Sequence, residues 1–490
     1  MSKIIILILL LLTCTNKKEK AIDKTFMIIC FDVEDYTSPE SVGMDDIPKW
    51  LAETMTEEGV TGSFFVIGEK ARSMAERGRT DVIEAMAKHD IGSHTNYGSI
   101  HPTVTEILEY ATWEEGTSKM LLNETAGFND LERIFGQRPV ALARHGGSYG
   151  PQLVSALSQM GAGYVYSPIS LPGHNAVWFC NTLNFHGEGN FGFFDDNYYR
   201  DDLFNPMLDD LNNRIPKAIE NVEVVSFFAN HPSKVRSIQF WDFNYYKGAN
   251  PGPDEWETPE LRPLESMKIA RKNFRRLIQF LKNRDDIELT TYRDLMKRFS
   301  YQKVEINKEE LEKIALRIVE EKAIVIDDYY SPAEVFTALS SALSNYLENG
   351  QLPKKVGIER PFGPTEIPSQ NPEVDKITKV QALELARLAN DYVKINNRLP
   401  HALSVNDKKI GAGSLLALFS KMYIVINAGE IPDSIQVLSF AAYPAENEEN
   451  IIKKVQDCKG WPVHREDLDM GHLVEMTKLQ LWTLKPAFAR

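Results

Sequence analysis

Four polar clusters stand out in the first half of the chain, each closing a short apolar run. Residues 26–31 lead into Asp32-Val33-Glu34-Asp35, and Ile91-Gly92-Ser93 leads into His94 and on to His101-Pro102. Residues 140–143 lead into Arg144-His145-Gly146-Gly147-Ser148-Tyr149, and residues 222–228 lead into Ala229-Asn230-His231-Pro232. Three acids at the end of an apolar strand are costly to bury unless a cation or strong hydrogen-bond donors meet them. Carboxylate and imidazole ligands with open positions suit Zn²⁺ or a similar divalent ion, which polarises a carbonyl and acidifies a bound water. A second carboxylate can take the proton from that water, and a histidine across the site can protonate the leaving group. This is the equipment of a hydrolase.

Elements that would position these clusters can be read from the alternation of apolar runs and amphipathic stretches. Runs at 26–31, 63–67, 140–143, 164–166, 222–228 and 287–289 alternate with helical patterns at 48–58, 80–89, 117–135 and 264–281. The βαβα rhythm predicts a parallel-sheet α/β domain, with ligands at the carboxyl ends of the strands. All four clusters fall at such ends. Seven of the ten histidines lie between 89 and 231, so this domain holds most candidate ligands and proton carriers. An aromatic, turn-rich stretch at 240–263 is long enough to be a functional loop. Within it Trp241 and Trp256 could line a sugar subsite or anchor the loop. Asp195 and Asp196 could orient a catalytic histidine, or be solvated loop acids.

Composition sets the outer limits. A chain of 490 residues, 43% hydrophobic and 25% charged, has room for two or three domains. Its formal charge of −14, with no long basic run, argues against a nucleic-acid partner. Four cysteines are too few for a disulfide scaffold, though one disulfide would be allowed after export.

The four clusters together resemble those of the polysaccharide deacetylases of carbohydrate esterase family four, the NodB-homology domain, over about 26–300. The resemblance implies a distorted (β/α) barrel that removes acetyl groups from a polysaccharide with the help of a divalent metal, zinc first. It implies Asp32 as catalytic base, Asp35 and His94 as metal ligands, Arg144 as the residue orienting the base, and His231 as general acid. Two features depart from the family pattern. Glu34 shares the strand face of Asp32 and could replace Asp35. The family's second metal histidine, four residues after the first, is Gly98 here. His101 is the next candidate, but seven residues along a straight helix carry it about 10 Å away, so it could bind only from a loop. A non-catalytic glycan-binding protein on the same fold, or an amidohydrolase of small non-sugar amides, are the alternatives.

Both ends carry further expectations. Lys3, the apolar run 4–12 and Leu11-Leu12-Thr13-Cys14 resemble a lipoprotein signal with its lipid-bearing cysteine, implying export and a membrane tether over 1–20. After about 305 the chain is expected to form a mainly helical accessory domain, 306–490. Units at 336–346 and 382–392, each ending in Tyr and followed by Leu352-Pro353 or Leu399-Pro400, suggest an internal repeat. They resemble pseudomurein-binding repeats, which implies wall-glycan binding.

Overall fold

The computed structural model describes residues 25–186, 195, 197–219, 224–228, 231–430 and 432–490. Its central strand is β1 (Thr25–Val33), nine residues buried from end to end. Successive side chains of a strand point to opposite faces. Met27, Ile29 and Phe31 accordingly join a core shared with outer helices, while Phe26, Ile28 and Cys30 join an inner core with Phe65, Ala143, Val165 and Tyr292. A strand covered on both faces reads as an unbroken apolar run, which is how it appears in the sequence.

From β1 the sheet continues in parallel through β2 (Ser63–Val66), β3 (Asp90–Ser93), β4 (Ala141–Ala143) and β5 (Gly163–Ser167). A hairpin of β6 (Ala176–Phe179) and β7 (Thr182–His186) follows, with β7 parallel to β5. On the other side β8 (Val224–Phe228) lies parallel to β1, and β9 (Ile287–Thr290) pairs with the first half of β1. A last strand, Lys485–Pro486, pairs antiparallel with β6. The ten-stranded sheet runs from this terminal strand to β8 without closing among the described residues, so the fold is an incomplete (β/α) barrel. Val33, Val66 and Ser93 stand in one register row, with Leu142 beside Ser93. Residues that follow these strands therefore emerge on one rim.

The remaining chain splits between two cores. Helices Lys308–Glu321, Pro332–Asn349, Lys379–Asn396 and Ala412–Asn427 build a core of their own. Pro332–Asn349 and Lys379–Asn396, the helices of the expected repeat, pack side by side. Their following strands pair differently: Lys355–Gly357 returns to Glu305–Asn307, whereas Ala402–Val405 makes a hairpin with Lys408–Gly411. Beyond these the chain returns to the barrel. Helices Glu448–Asp457 and Gly471–Gln480 bury Ile451, Val455, Leu473 and Leu479 against Val104, Leu153, Leu157 and Tyr164. The stretch expected to form one accessory unit, 306–490, is thus divided, because the apolar faces of these two late helices are covered by the barrel's outer layer.

Cys30, Cys180 and Cys458 are buried, and no disulfide joins them among the described residues. The expected tether, Cys14 included, lies outside the described residues. Among those described, no helix is long and apolar enough to cross a membrane.

Candidate active site

Asp32 and Glu34 continue the even-numbered face of β1 into the barrel interior. There they meet imidazoles carried by the ends of β3, β4 and β8. Three ring nitrogens lie within hydrogen-bond or ion-pair reach of one atom, Glu34 Oε1: His94 Nε2 at 3.0 Å, His145 Nδ1 at 3.4 Å and His231 Nε2 at 3.5 Å. Asp32 Oδ2 is 3.5 Å from His94 Nε2. Donor atoms about 2.1 Å from a tetrahedral zinc sit roughly 3.4 Å apart. Glu34, His94 and His145 offer that spacing, and Asp32, Glu34 and His231 form an overlapping set.

Each ring is held from behind. His94 Nδ1 faces the Ala143 carbonyl at 3.1 Å, His145 Nε2 faces Ser99 Oγ at 3.0 Å, and His231 Nδ1 faces Asp195 at 3.3 Å. The Trp241 indole N–H donates to Glu34 Oε2 at 2.9 Å. Partners of this kind set ring orientation and ligand basicity in metal sites. Within the cluster, Asp32 Oδ1 has no hydrogen-bond partner and His145 Nδ1 has only its 3.4 Å contact with Glu34. A buried polar atom left in this way needs a partner such as a water or an ion.

The two carboxyls are driven apart electrostatically. Burial raises the Asp32 pKa well above the ordinary carboxylate range, against the pull of His231. Burial acts on Glu34 too, but His231, His145 and His94 around it bring it well below that range. Against the opposing effect of its partial burial, His231 is pushed up to about 10 by Glu34 and Asp195. Burial lowers His94 to about 4 against the opposing effect of Glu34. A pair of carboxyls pushed in opposite directions is the arrangement by which one serves as an ionised ligand and the other exchanges a proton.

Local backbone tension accompanies the site. Thr95, immediately after His94, has φ 68°, a left-handed conformation that a β-branched residue rarely adopts. Its Oγ1 accepts the Gly98 N–H at 3.1 Å and so fixes the turn. Gly98 itself has φ +61°, and a Cβ there would stand 2.7 Å from Ile67 Cδ1. A side chain at this position would be strained by the backbone and would force Ile67 to shift.

Of the residues singled out from the sequence, Asp32, His94 and His231 are brought together. Three others are placed elsewhere and their expected roles are corrected. Asp35 lies on the opposite strand face, where Oδ1 accepts the backbone N–H groups of Thr37 and Ser38 and Oδ2 accepts the Ser38 hydroxyl. Those bonds use it to shape the turn, and Glu34 is the carboxylate at the cluster. His101 has Nδ1 2.7 Å from Glu106 and Nε2 3.0 Å from the Tyr245 carbonyl, so both ring nitrogens serve loop contacts. Arg144 donates to the Tyr166 carbonyl and to Cys458 Sγ, each at 3.0 Å, and lines a cavity of about 300 Å³ instead of contacting Asp32. Asp195 does face His231. Asp196 lies outside the described residues.

His145 belongs to the Arg144–Tyr149 string and directly follows the arginine. Its neighbour relation could have been suspected, since adjacent residues after a strand point to opposite sides and only one can enter the barrel. Ser99 and the indole of Trp241 carry no sequence signal as second partners.

No protein-family model and no curated protein matches the chain. Solved structures that match include one described as a probable polysaccharide deacetylase from Pseudomonas aeruginosa PAO1, at 12% identity over 56% of this chain and 89% of that one, TM-score 0.36. Another is the Puue allantoinase, at 13% identity over 56% and 89%, TM-score 0.35. A third is a CE4 family pseudoenzyme from Bacillus anthracis, at 11% identity over 56% and 66%, TM-score 0.30. The architecture rests on the chain's own strand order, which is that of an incomplete (β/α) barrel.

Proposed function

We propose that this chain is a divalent-metal-dependent hydrolase that removes acetyl groups from a glycan, exported and tethered through Cys14. The unit built by helices Lys308–Glu321, Pro332–Asn349, Lys379–Asn396 and Ala412–Asn427, within the expected accessory stretch 306–490, would be its wall-glycan-binding part. One observation carries the hydrolase reading: Glu34, His94 and His145 each bring one ligand atom to a buried point, with Asp32 Oδ2 3.5 Å from His94 Nε2 and the His231 ring beside Glu34.

In this reading Glu34, His94 and His145 hold the ion, a donor set that suits zinc. When bound, such an ion supplies Lewis acidity toward the acyl oxygen and acidifies a water. Asp32 accepts the proton of the attacking water. His231 gives its Nε2 proton to the departing amine or alkoxide, with Asp195 keeping the ring turned toward the site. Trp241 and Ser99 hold Glu34 and His145 in position.

A second reading, hydrolysis of a small non-sugar amide, is favoured by the deep burial of the cluster. The test of the main reading is acetate release from acetylated saccharides by the zinc-loaded full chain. Asp32→Asn is expected to lower the rate by about 10²–10⁴-fold with an unchanged melting temperature. Full activity in that variant would overturn the assignment of the base.

A further inference from the structure

Residues 458–465 come from the far end of the chain and end up against the candidate site. The Trp461 ring meets His145 edge-on, with centroids 5.0 Å apart and planes at 89°. Val463 packs in one cluster with Tyr36, Ile67, Trp241 and Tyr245. The Gly146-Gly147 pair explains how this approach is possible. Gly146 has φ +49°, and a Cβ on it would fall 2.2 Å from the Trp461 ring; a Cβ on Gly147 would fall 2.2 Å from the Cys458 carbonyl. Any larger residue at either position would push the segment away.

The segment is also fastened. Lys247 and Gly248 donate their backbone N–H groups to the carbonyls of Pro462 and Val463 at 2.8 and 3.1 Å. The Arg465 N–H donates to Glu106 at 3.1 Å, and its guanidinium reaches Glu106 and Glu109. His101 completes the fastening, since it bridges the same Glu106 to the Tyr245 carbonyl. So many directed bonds make a fixed wall.

What the wall leaves open is narrow. Asp32, Glu34, His94 and His145 are 4%, 6%, 1% and 2% exposed. The His231 and Asp195 side chains keep about a fifth of their surface, at 20% and 21%. Approach to the cluster is thus from the His231 side. A substrate threading past the site needs an open groove on both sides of the reacting group, whereas one that enters end-on needs a single mouth.

We propose that residues 458–465 are a wall of the active site, and that Trp461 restricts it to acetyl groups presented at the end of a glycan or on a short saccharide. The size restriction rests on the deacetylase reading above; the wall itself does not.

Two measurements on the full chain separate these parts. The first is the rate of carbethoxylation of His145 by diethyl pyrocarbonate in the metal-free protein, read by mass spectrometry. Trp461→Ala is expected to raise it on the order of tenfold, since the wall no longer covers the ring. Trp461→Phe, which keeps an aromatic wall, is expected to stay near the unaltered protein, and thermal melting of both variants controls for unfolding. The second is the ratio of kcat/KM for an N-acetylated glucosamine hexamer to that for the dimer, with zinc. Trp461→Ala is expected to raise this ratio about 10-fold or more, the scale on which removal of a pocket wall changes discrimination. Equal labelling rates in all three proteins would overturn the wall. Faster labelling with an unchanged size ratio would overturn the restriction. Faster labelling with no hydrolysis of either saccharide by any protein would keep the wall while removing both the restriction and the deacetylase reading.

Discussion

Replacing Gly98 by histidine restores, on paper, the histidine spacing of the deacetylase pattern that the sequence resembles, and the structure predicts that it fails. At φ +61° a side-chain-bearing residue pays roughly 1–2 kcal/mol in backbone strain. Its Cβ, 2.7 Å from Ile67 Cδ1, must also displace a fully buried isoleucine, which adds about 1–3 kcal/mol of overpacking. Gly98→His should therefore lose about 2–5 kcal/mol of stability in urea denaturation, with no gain in zinc affinity by titration calorimetry. His145→Ala is the counterpart. It removes a proposed ligand, and even loss of an outer partner costs about 10–100-fold in metal affinity, so the deficit should be on the order of a hundredfold or more. Tighter zinc binding by Gly98→His without loss of stability would refute the reasoning, because it would mean that the turn after His94 can open and that His145 is dispensable.

Two further predictions concern buried charge away from the site. Burial pushes the Glu124 carboxyl up to about 8, so the folded chain holds that proton more tightly than the unfolded one and stability falls as pH rises from about 4.5 to 8. Glu124→Gln should remove that slope of about 1.4 kcal/mol per pH unit and be more stable than the unaltered protein by about 3 kcal/mol at pH 7; parallel stability curves would count against it. The Lys485 ammonium is buried against both Glu334 carboxylate oxygens, at 2.7 and 2.8 Å, where the last strand meets the helical unit. Glu334→Ala should cost about 3–5 kcal/mol by stranding the lysine, while Glu334→Leu combined with Lys485→Met should recover most of it in denaturant melts.

Much of the barrel was legible because its strands are apolar on both faces. β1, β2, β4, β5 and β9 coincide with runs visible in the sequence to within a few residues. The β6–β7 hairpin was not, since Asn175, Asn181 and Asn184 break the pattern although Asn175 and Asn184 are buried. Within the site, Asp32, His94 and His231 follow from their place at strand ends. The choice between Glu34 and Asp35 was open in the sequence because it depends on strand parity and on which acid Thr37 and Ser38 engage. His101 and Arg144 were misplaced for a shared reason. Their partners, Glu106 and Tyr245 for one and Cys458 for the other, include residues far along the chain, and periodicity says nothing of such contacts. The late helix Glu448–Asp457 shows an amphipathic face but not which core will receive it, and Gly471–Gln480 shows only a weak one.

The most direct test of the account is the zinc content of the purified full chain together with acetate release from an N-acetylated saccharide. The account predicts one zinc ion per chain, lost in parallel with acetate release when His145 is replaced by alanine. A chain that binds no divalent ion under zinc saturation, or one that releases acetate equally well without His145, would contradict it.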